Sequence, residues 1–354
     1  MIFSAIADGL LWIMQKKGVS WAIHYIDDFL TMGAPLTGQC LKNTLIMQSV
    51  CDDAGLPMEP SKSVGPTTSL VFLGIQIDSD KGELRLPDEK LTQLQELITT
   101  WRGRKACRKR ELLSLIGSLS HACKVVRAGR IFLRRLIDLS TKATRLDHFI
   151  RLNAEARADI EWWYHFIGPW NGVSLLSALT LQPPAATIYS DASGSWGCGA
   201  TCGPRWFQLK WDVRSDLYHI SVKELTPIVI ATAIWGHHFR GKTLLIRSDN
   251  SAAVAAINSQ SSSVKEMAHL LRCLAFIAAR FQLRITASHI PSHLNLIADA
   301  LSRNKLTSFY SLHPQAAKTP SPVPVTLINL LIPQLPDWNS QRWTVLWNAI
   351  FQLE

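Results

Sequence analysis

The sequence has little that would take a chain to a membrane or out of the cell. Its apolar opening, MIFSAIADGLLWIM, is interrupted by Asp8, is followed rather than preceded by Lys16 and Lys17, and is too short to span a bilayer. It reads as a buried amphipathic helix ending at Gly18, not as a secretory signal. Cysteine offers no framework either. The seven (Cys40, Cys51, Cys107, Cys123, Cys198, Cys202 and Cys273) are scattered and odd in number, which argues against a disulfide scaffold and for a reducing, intracellular compartment, cytoplasmic or nuclear. Cys198 and Cys202 lie four apart, but no second Cys or His pair stands at zinc-ligand spacing, so they read as small buried residues. No internal repeat is found, which argues against a solenoid. Acidic residues are scarce: 27 Asp and Glu face 37 Lys and Arg, a net charge of +10, which favours a polyanionic partner, nucleic acid first.

What is present suits a globular protein. Of 354 residues 47% are hydrophobic and 18% charged, enough for two domains with buried cores. Residues 1–86 alternate helical and extended runs: a helix near 3–17, a strand at 21–26, a tight turn at Asp27-Asp28, a strand from Phe29, a helix near 38–54, then VFLGIQID as one strand with ELRLP as its hairpin partner. Residues 87–168 read as mostly helical and strongly basic, in WRGRKACRKRELL and KVVRAGRIFLRRLI. The alternation of basic and apolar residues suits helices packed on one side and lying along phosphates on the other; a merely solvated face fits equally well. Residues 169–184, with Pro169, Gly172, Pro183 and Pro184, read as a linker. A second α/β unit follows over 185–304, and then a Pro- and Trp-rich tail, 305–354.

The second unit concentrates the chemistry. TIYSDASGSWGCGATC starts with a strand ending at Asp191, and two further strands give an antiparallel meander. ISVKELTPIVIATAIW is a helix with Glu224 in its first turn; LLIRSDN is a buried strand ending at Asp249; IPSHLNLIADALSR is a loop and a helix bearing Asp299. Singly, each acid has a structural explanation. Ser221-x-x-Glu224 fits a capping box, Asp249 an N-cap, and Asp191 a turn before Gly194. Together, at the ends of core elements, they read as a cluster at the mouth of an α/β site. Clustered carboxylates repel unless cations neutralise them, and hard oxygen ligands favour Mg²⁺ or Mn²⁺. Two such ions about 4 Å apart activate water and stabilise a leaving oxygen in phosphodiester hydrolysis.

In order and context, SDAS, KEL, SDN and HIP…ADALSR resemble the type I ribonuclease H domain attached to retroelement reverse transcriptases, over about 188–304. The resemblance implies that Asp191, Glu224, Asp249 and Asp299 bind two metal ions, and that His293, or less readily His289, assists product release. HYIDDFL then resembles the YxDD hairpin of reverse transcriptase palms. That implies Asp27 and Asp28 at a nucleotide's metals, Asp27 as the principal ligand, and Tyr25 beneath a primer terminus. GLPMEPSKS resembles the segment that carries a palm lysine, here Lys62, and VFLGIQID the primer-grip hairpin, with Phe72, Leu73 and Gly74. The basic helical stretch falls where a thumb and connection grip primer-template nucleic acid.

The overall layout most resembles DIRS-type (tyrosine-recombinase) retrotransposons, with PDWNSQRWTVLWNAI similar to the lead into their recombinase domain. The expected fold class is therefore α/β (α+β): a partial reverse-transcriptase palm, a helical thumb/connection, and a ribonuclease H-like mixed five-stranded sheet flanked by helices. The expected partners are an RNA–DNA hybrid, primer-template nucleic acid and the remainder of a retroelement polyprotein, with no membrane. The sequence departs from the family in one respect: the palm's third aspartate, carried upstream of YxDD, has no counterpart here. The expectation is a polypeptide truncated at its polymerase end that cleaves the RNA of hybrids and does not polymerise DNA. Two other readings fit the same residues: a decayed copy that only binds nucleic acid, and a transposase-like strand transferase.

Overall fold

Residues 2–174, 183–212 and 218–331 are described by the computed structural model. Half of the Pro/Gly linker (175–182) and the segment PDWNSQRWTVLWNAI lie outside the described residues. The chain folds as two units, Met1–Lys90 and Leu91–Glu354.

In the first unit, α1 (Ile2–Lys16) buries Ala7, Leu10 and Met14, three and four residues apart, as a helical face requires. Leu10 and Met14 pack in one cluster with Val19, Met47, Val50 and Cys51. The chain then forms a two-stranded hairpin, β1 (Ala22–Tyr25) and β2 (Asp28–Thr31), with Tyr25 opposite Asp28. Ile26 and Asp27 make the turn, and Ile26 adopts φ 55°, a left-handed conformation that strains a β-branched residue. His24 Nε2 lies 2.9 Å from Asp8 Oδ1 and ties the hairpin to α1. Helix α2 (Gln39–Asp53) supplies Met47, Val50 and Cys51. VFLGIQID, expected as one strand, is two: β3 (Ser69–Phe72) and β4 (Ile75–Asp78) pair antiparallel around Leu73-Gly74, both at positive φ. A two-residue turn leaves the in/out alternation unbroken, so the period could not reveal it. β5 (Glu83–Arg85) pairs with β4 as expected.

The second unit takes in both the basic helical stretch and the second α/β segment. α3 (Asp88–Arg102), β6 (Ala106–Arg108), α4 (Lys109–Ala122), a 3-10 turn (Arg127–Phe132) and α5 (Arg134–Ser140) lead to β7 (Phe149–Arg151), which pairs with β6. α6 (Ala154–Phe166) is capped by Asn153, whose side chain accepts from the Ala156 N–H, and β8 (Val173–Ser174) follows. The sheet consists of β9 (Ala186–Ala192), β10 (Gly197–Cys202), β11 (Arg205–Lys210), β12 (Thr243–Ser248) and β13 (Arg284–His289) in the order β11-β10-β9-β12-β13. The first three are antiparallel; β12 runs parallel to β9, and β13 to β12. This is the expected mixed five-stranded sheet. α7 (Ile220–Trp235) is buried from Ser221 onward and packs on β9 and β10; α8 (Ser251–Ser259) lies on β13 and α9 (Lys265–Arg280) lies on α7. α10 (Leu296–Ser302) covers β9, β10 and β11.

Residues 305–331 belong to this unit rather than to an extended tail. Phe309, on α11 (Leu306–Leu312), is buried with Trp206, Ala300 and Leu301, and α12 (Val325–Leu331) packs on α7. Trp206 Nε1 donates to the Ala317 carbonyl at 2.7 Å.

Two features join the helical stretch to the sheet's helices. Phe132 stacks on Trp162 at 3.8 Å between ring centres, and Phe166 and Trp170 meet Phe276 of α9, both at 5.4 Å. Trp170, half-buried, therefore packs against the rings of Phe166 and Phe276 although it falls within the segment read as a linker. Asp159 of α6 is 1% exposed and lies between Arg135, at 3.3 Å, and Arg272 of α9, at 3.5 Å. Arg272 Nη2 also donates to the Ile131 carbonyl at 3.4 Å. A buried carboxylate that loses a cation keeps its desolvation penalty. Arg272→Ala is therefore expected to lower the unfolding free energy by about 3 kcal/mol in urea denaturation, whereas Arg145→Ala, which breaks only the exposed pair with Asp147, leaves it unchanged.

Candidate active site

β9 and β12 are parallel neighbours with Tyr189 opposite Arg247. Asp191 and Asp249 each follow that paired row by two residues, so the alternation of the strands brings both carboxylates to the same face at the same end of the sheet. Glu224, the fifth residue of α7, reaches them from above the sheet. One carboxylate oxygen from each of Asp191, Glu224 and Asp249 lies within 4.8 Å of the others, the only such group of three among the described residues.

The capping explanations fall away locally. α7 is capped by His219, whose ring nitrogen accepts from the Ser221 N–H at 3.2 Å, so Ser221 and Glu224 form no capping box. α8 is capped by Asn250, whose Oδ1 accepts from the Ala253 N–H at 2.9 Å, and Asp249 is left to face the cluster. Asp191 is the penultimate residue of β9 rather than a turn residue.

Asp299 stands outside that close group. It is half-buried on α10, and its Oδ1 accepts from Arg303 Nε at 2.6 Å, an i,i+4 pair on one helix. Its charge still acts on Asp191. The same helix brings two groups that sequence reasoning did not single out: Ser302, whose hydroxyl donates to Asp191 Oδ2, and Arg303 itself. Their signal was available in ADALSR, where Ser and Arg follow Asp299 at the i+3 and i+4 positions of one helical face. α10 can lie this close because residue 199, opposite Asp191 on β10, is glycine. A Cβ there would stand 2.5 Å from Leu301 Cβ and 3.0 Å from the Phe207 carbonyl oxygen. Asn295, 2% exposed, donates from Nδ2 to the Ser190 carbonyl at 2.9 Å and pins the entry to α10 against β9.

Electrostatics follow from burial. Glu224 is 5% exposed and its carboxyl is pushed up to about 9, by desolvation first and then by Asp191 and Asp249, against a hydrogen bond from the Ala192 N–H. Its Oε2 has no hydrogen-bond partner. Asp191 is raised to about 6, again by burial first; the Ser302 hydroxyl opposes this, and Asp249 and Asp299 add to it. Of the two histidines, His289 lies at the end of β13 with Nε2 3.1 Å from the Asp249 carbonyl oxygen, whereas His293 is exposed on the 3-10 turn Ser292–Leu294. Trp196 is half-buried.

In the first unit, Tyr25, Asp27 and Asp28 are exposed on the hairpin, Tyr25 at 58%. Among the described residues no acidic, His or Cys side chain joins Asp27 and Asp28 in a group of three. Lys62 is exposed at the end of the short 3-10 turn Pro60–Lys62, Phe72 ends β3 opposite Ile75, and Leu73 and Gly74 form the β3–β4 turn.

The donor set around Asp191 suits a hard divalent cation: all-oxygen, close-set, and including a buried carboxylate oxygen with no other partner. No family model matches this chain, and no curated protein matches it. Among solved structures it is similar to a foamy viral protease-reverse transcriptase dRH in complex with double-stranded DNA, at 16% identity and a TM-score of 0.43, over 82% of this chain and 48% of that one. It is similar to the foamy viral protease-reverse transcriptase in complex with RNA/DNA hybrid at 14% identity and a TM-score of 0.40, over 81% of this chain and 37% of that one. A third match is RNase H1 from the halophilic archaeon Halobacterium salinarum, at 14% identity and a TM-score of 0.26, over 35% of this chain and 96% of that one. The chain thus spans about half the length of the first foamy viral structure.

The raised carboxyls set a pH dependence. A carboxyl whose folded value exceeds its unfolded one favours the fold while protonated, and that advantage is lost as pH rises from the unfolded value through the folded one. The metal-free chain is expected to lose stability from about pH 4 to about pH 9, as first Asp191 and then Glu224 ionise. Glu224→Gln should be more stable than the parent at pH 8.5 by on the order of 2 kcal/mol, and indistinguishable from it at pH 4, in thermal melts with chelator present.

Proposed function

We propose that this chain is a reverse transcriptase/ribonuclease H polypeptide of a retroelement, and that its chemistry is hydrolysis of the RNA strand of an RNA–DNA hybrid. The single observation that carries this reading is the convergence of Asp191, Glu224 and Asp249 at one end of the neighbouring strands β9 and β12. Asp191, Glu224 and Asp249, with Asp299 alongside, would hold two Mg²⁺ or Mn²⁺ ions, which when bound supply an activated water and stabilise the leaving 3′ oxygen. The chain's own groups prepare that site. The Ser302 hydroxyl orients the Asp191 carboxylate, and Arg303 holds Asp299 at the rim. Lys223 Nζ donates to the Gly194 carbonyl at 2.7 Å and fixes the first turn of α7 against the β9–β10 turn. His293, on its exposed turn, is the group we assign to product release; His289, held near the Asp249 carbonyl, has a positioning role.

The hybrid is read by its shape, phosphates and 2′-OH groups, which suits a chain of net charge +10. Tyr25, Asp27, Asp28, Lys62 and the segment Phe72-Leu73-Gly74 are the residues we assign to a nucleotide site. Two exposed carboxylates alone do not make a two-metal centre, so this chain by itself does not polymerise DNA. The affiliation with DIRS-type retrotransposons rests on the sequence resemblance of the overall arrangement, including IFSAIADGLLWIM before YIDD and the ending IPSHLNLIADALSR.

The test is cleavage of an end-labelled RNA–DNA hybrid with Mg²⁺. Asp191→Asn is expected to lower the rate at least about 100-fold while hybrid binding persists, and Asp27→Asn/Asp28→Asn to leave it unchanged. Unimpaired cutting by Asp191→Asn would overturn the reading. Mg²⁺ should also raise the melting temperature of the parent at pH 8 and not that of Asp191→Asn/Asp249→Asn.

A further inference from the structure

Five of the eleven arginines of the helical stretch are already neutralised. Arg102 pairs with Glu161, Arg104 with Glu111, Arg134 with Asp138, Arg135 with Glu155 and Asp159, and Arg145 with Asp147. Lys142, Arg151 and Arg157 are different. All three are exposed and line one cavity of about 520 Å³, and among the described residues none of them makes an ion pair and no acidic residue lines that cavity. Ala154, the first residue of the thirteen-residue helix α6, lines the same wall, so the positive end of that helix adds to the field of the cations. The floor is apolar: Leu139, Ile150 and Leu152 are buried there. At its edge Phe149 is 72% exposed, and the Arg108 guanidinium lies 5.5 Å from the ring centre.

An exposed aromatic ring beside an apolar floor accepts a flat heterocycle, and unpaired cations around it accept phosphate. The combination is the chemistry of a nucleotide whose base is free to stack. A paired duplex offers phosphates but no base face, so Phe149 would be left idle. We propose that the cavity bounded by Lys142, Arg151, Arg157 and Phe149 binds an unpaired nucleotide of a nucleic-acid strand. The cations hold the phosphates and Phe149 stacks on the base. The site is separate from the Asp191 cluster and does not depend on the chain being a nuclease.

The experiment uses the full chain carrying Asp191→Asn, so that no cleavage intervenes, and fluorescence anisotropy with a labelled 12-nucleotide single strand over a range of salt. Lys142→Ala/Arg151→Ala/Arg157→Ala is expected to weaken binding at least 10-fold and to reduce the salt slope by about 2. Phe149→Ala is expected to weaken binding about 10-fold with the slope unchanged, as loss of stacking requires. All four residues are exposed, and circular dichroism melts check that the variants fold as the parent does. Arg134→Ala/Arg145→Ala, which removes two neutralised cations, should bind within twofold of the parent. The proposal is overturned if the cavity variants bind as the parent does, or if the Arg134/Arg145 variant loses as much, since either result means a diffuse basic surface. It is also overturned, in favour of a free-nucleotide site, if adenosine monophosphate displaces the strand at equal molar affinity.

Discussion

Three carboxylates held within 4.8 Å of one another, two of them almost out of water, are the constraint around which the second unit is built. At an effective dielectric of about 20, each charged pair at that separation repels by about 3 kcal/mol. The fold does not relieve this by turning the side chains outward. It protonates Glu224 and Asp191 more readily than free carboxylic acids, and fastens each backbone that carries them. β9 is hydrogen-bonded on both sides, α7 is buried along nearly its whole length, and α10 is drawn down onto Gly199. Such a site is poised to exchange protons for cations, because the same geometry that disfavours three negative charges favours one hard ion among them.

The basic helical stretch is part of the same unit and not an appendage. Asp159 lies between Arg135 and Arg272, and the aromatic rings from Phe132 to Phe276 continue one core from α6 into α9. A site that bears strained electrostatics needs a rigid backing, and α9 supports α7, which carries Glu224. The cations of Lys142, Arg151 and Arg157 are therefore borne by the same compact unit as the acids.

The first unit makes the opposite arrangement. Asp27, on a two-residue hairpin turn, and Asp28, the first residue of β2, lie in open solvent, where water screens them. Ile26 at φ 55° holds the turn tight at some cost in backbone strain. Two acids in water and a close group of three, two of them buried, are different chemical objects, even though Asp27, Asp28, Asp191 and Asp249 all appear in the sequence as Asp beside strand-like residues.

Most of the strands and helices, and the three acids that meet, were legible along the chain; Asp299, expected with them, stands outside the close group. LLIRSDN announces a buried strand with an acid at its end, and the apolar length of TPIVIATAIW announces a buried helix, because burial selects residue types locally. VFLGIQID hid its turn, since an even-numbered turn preserves alternation, and β6 and β7 were too short and too far apart in sequence to register as partners. Which residue caps which helix, that Ser302 supports Asp191 from 111 positions away, that Asp299 stays at the rim with Arg303, and that Trp170 packs against Phe276 instead of lying in a linker were decided only by tertiary packing. A local pattern fixes which side of an element faces inward. Only the assembled sheet and helices determine which inward-facing groups meet, and how far water is excluded from them.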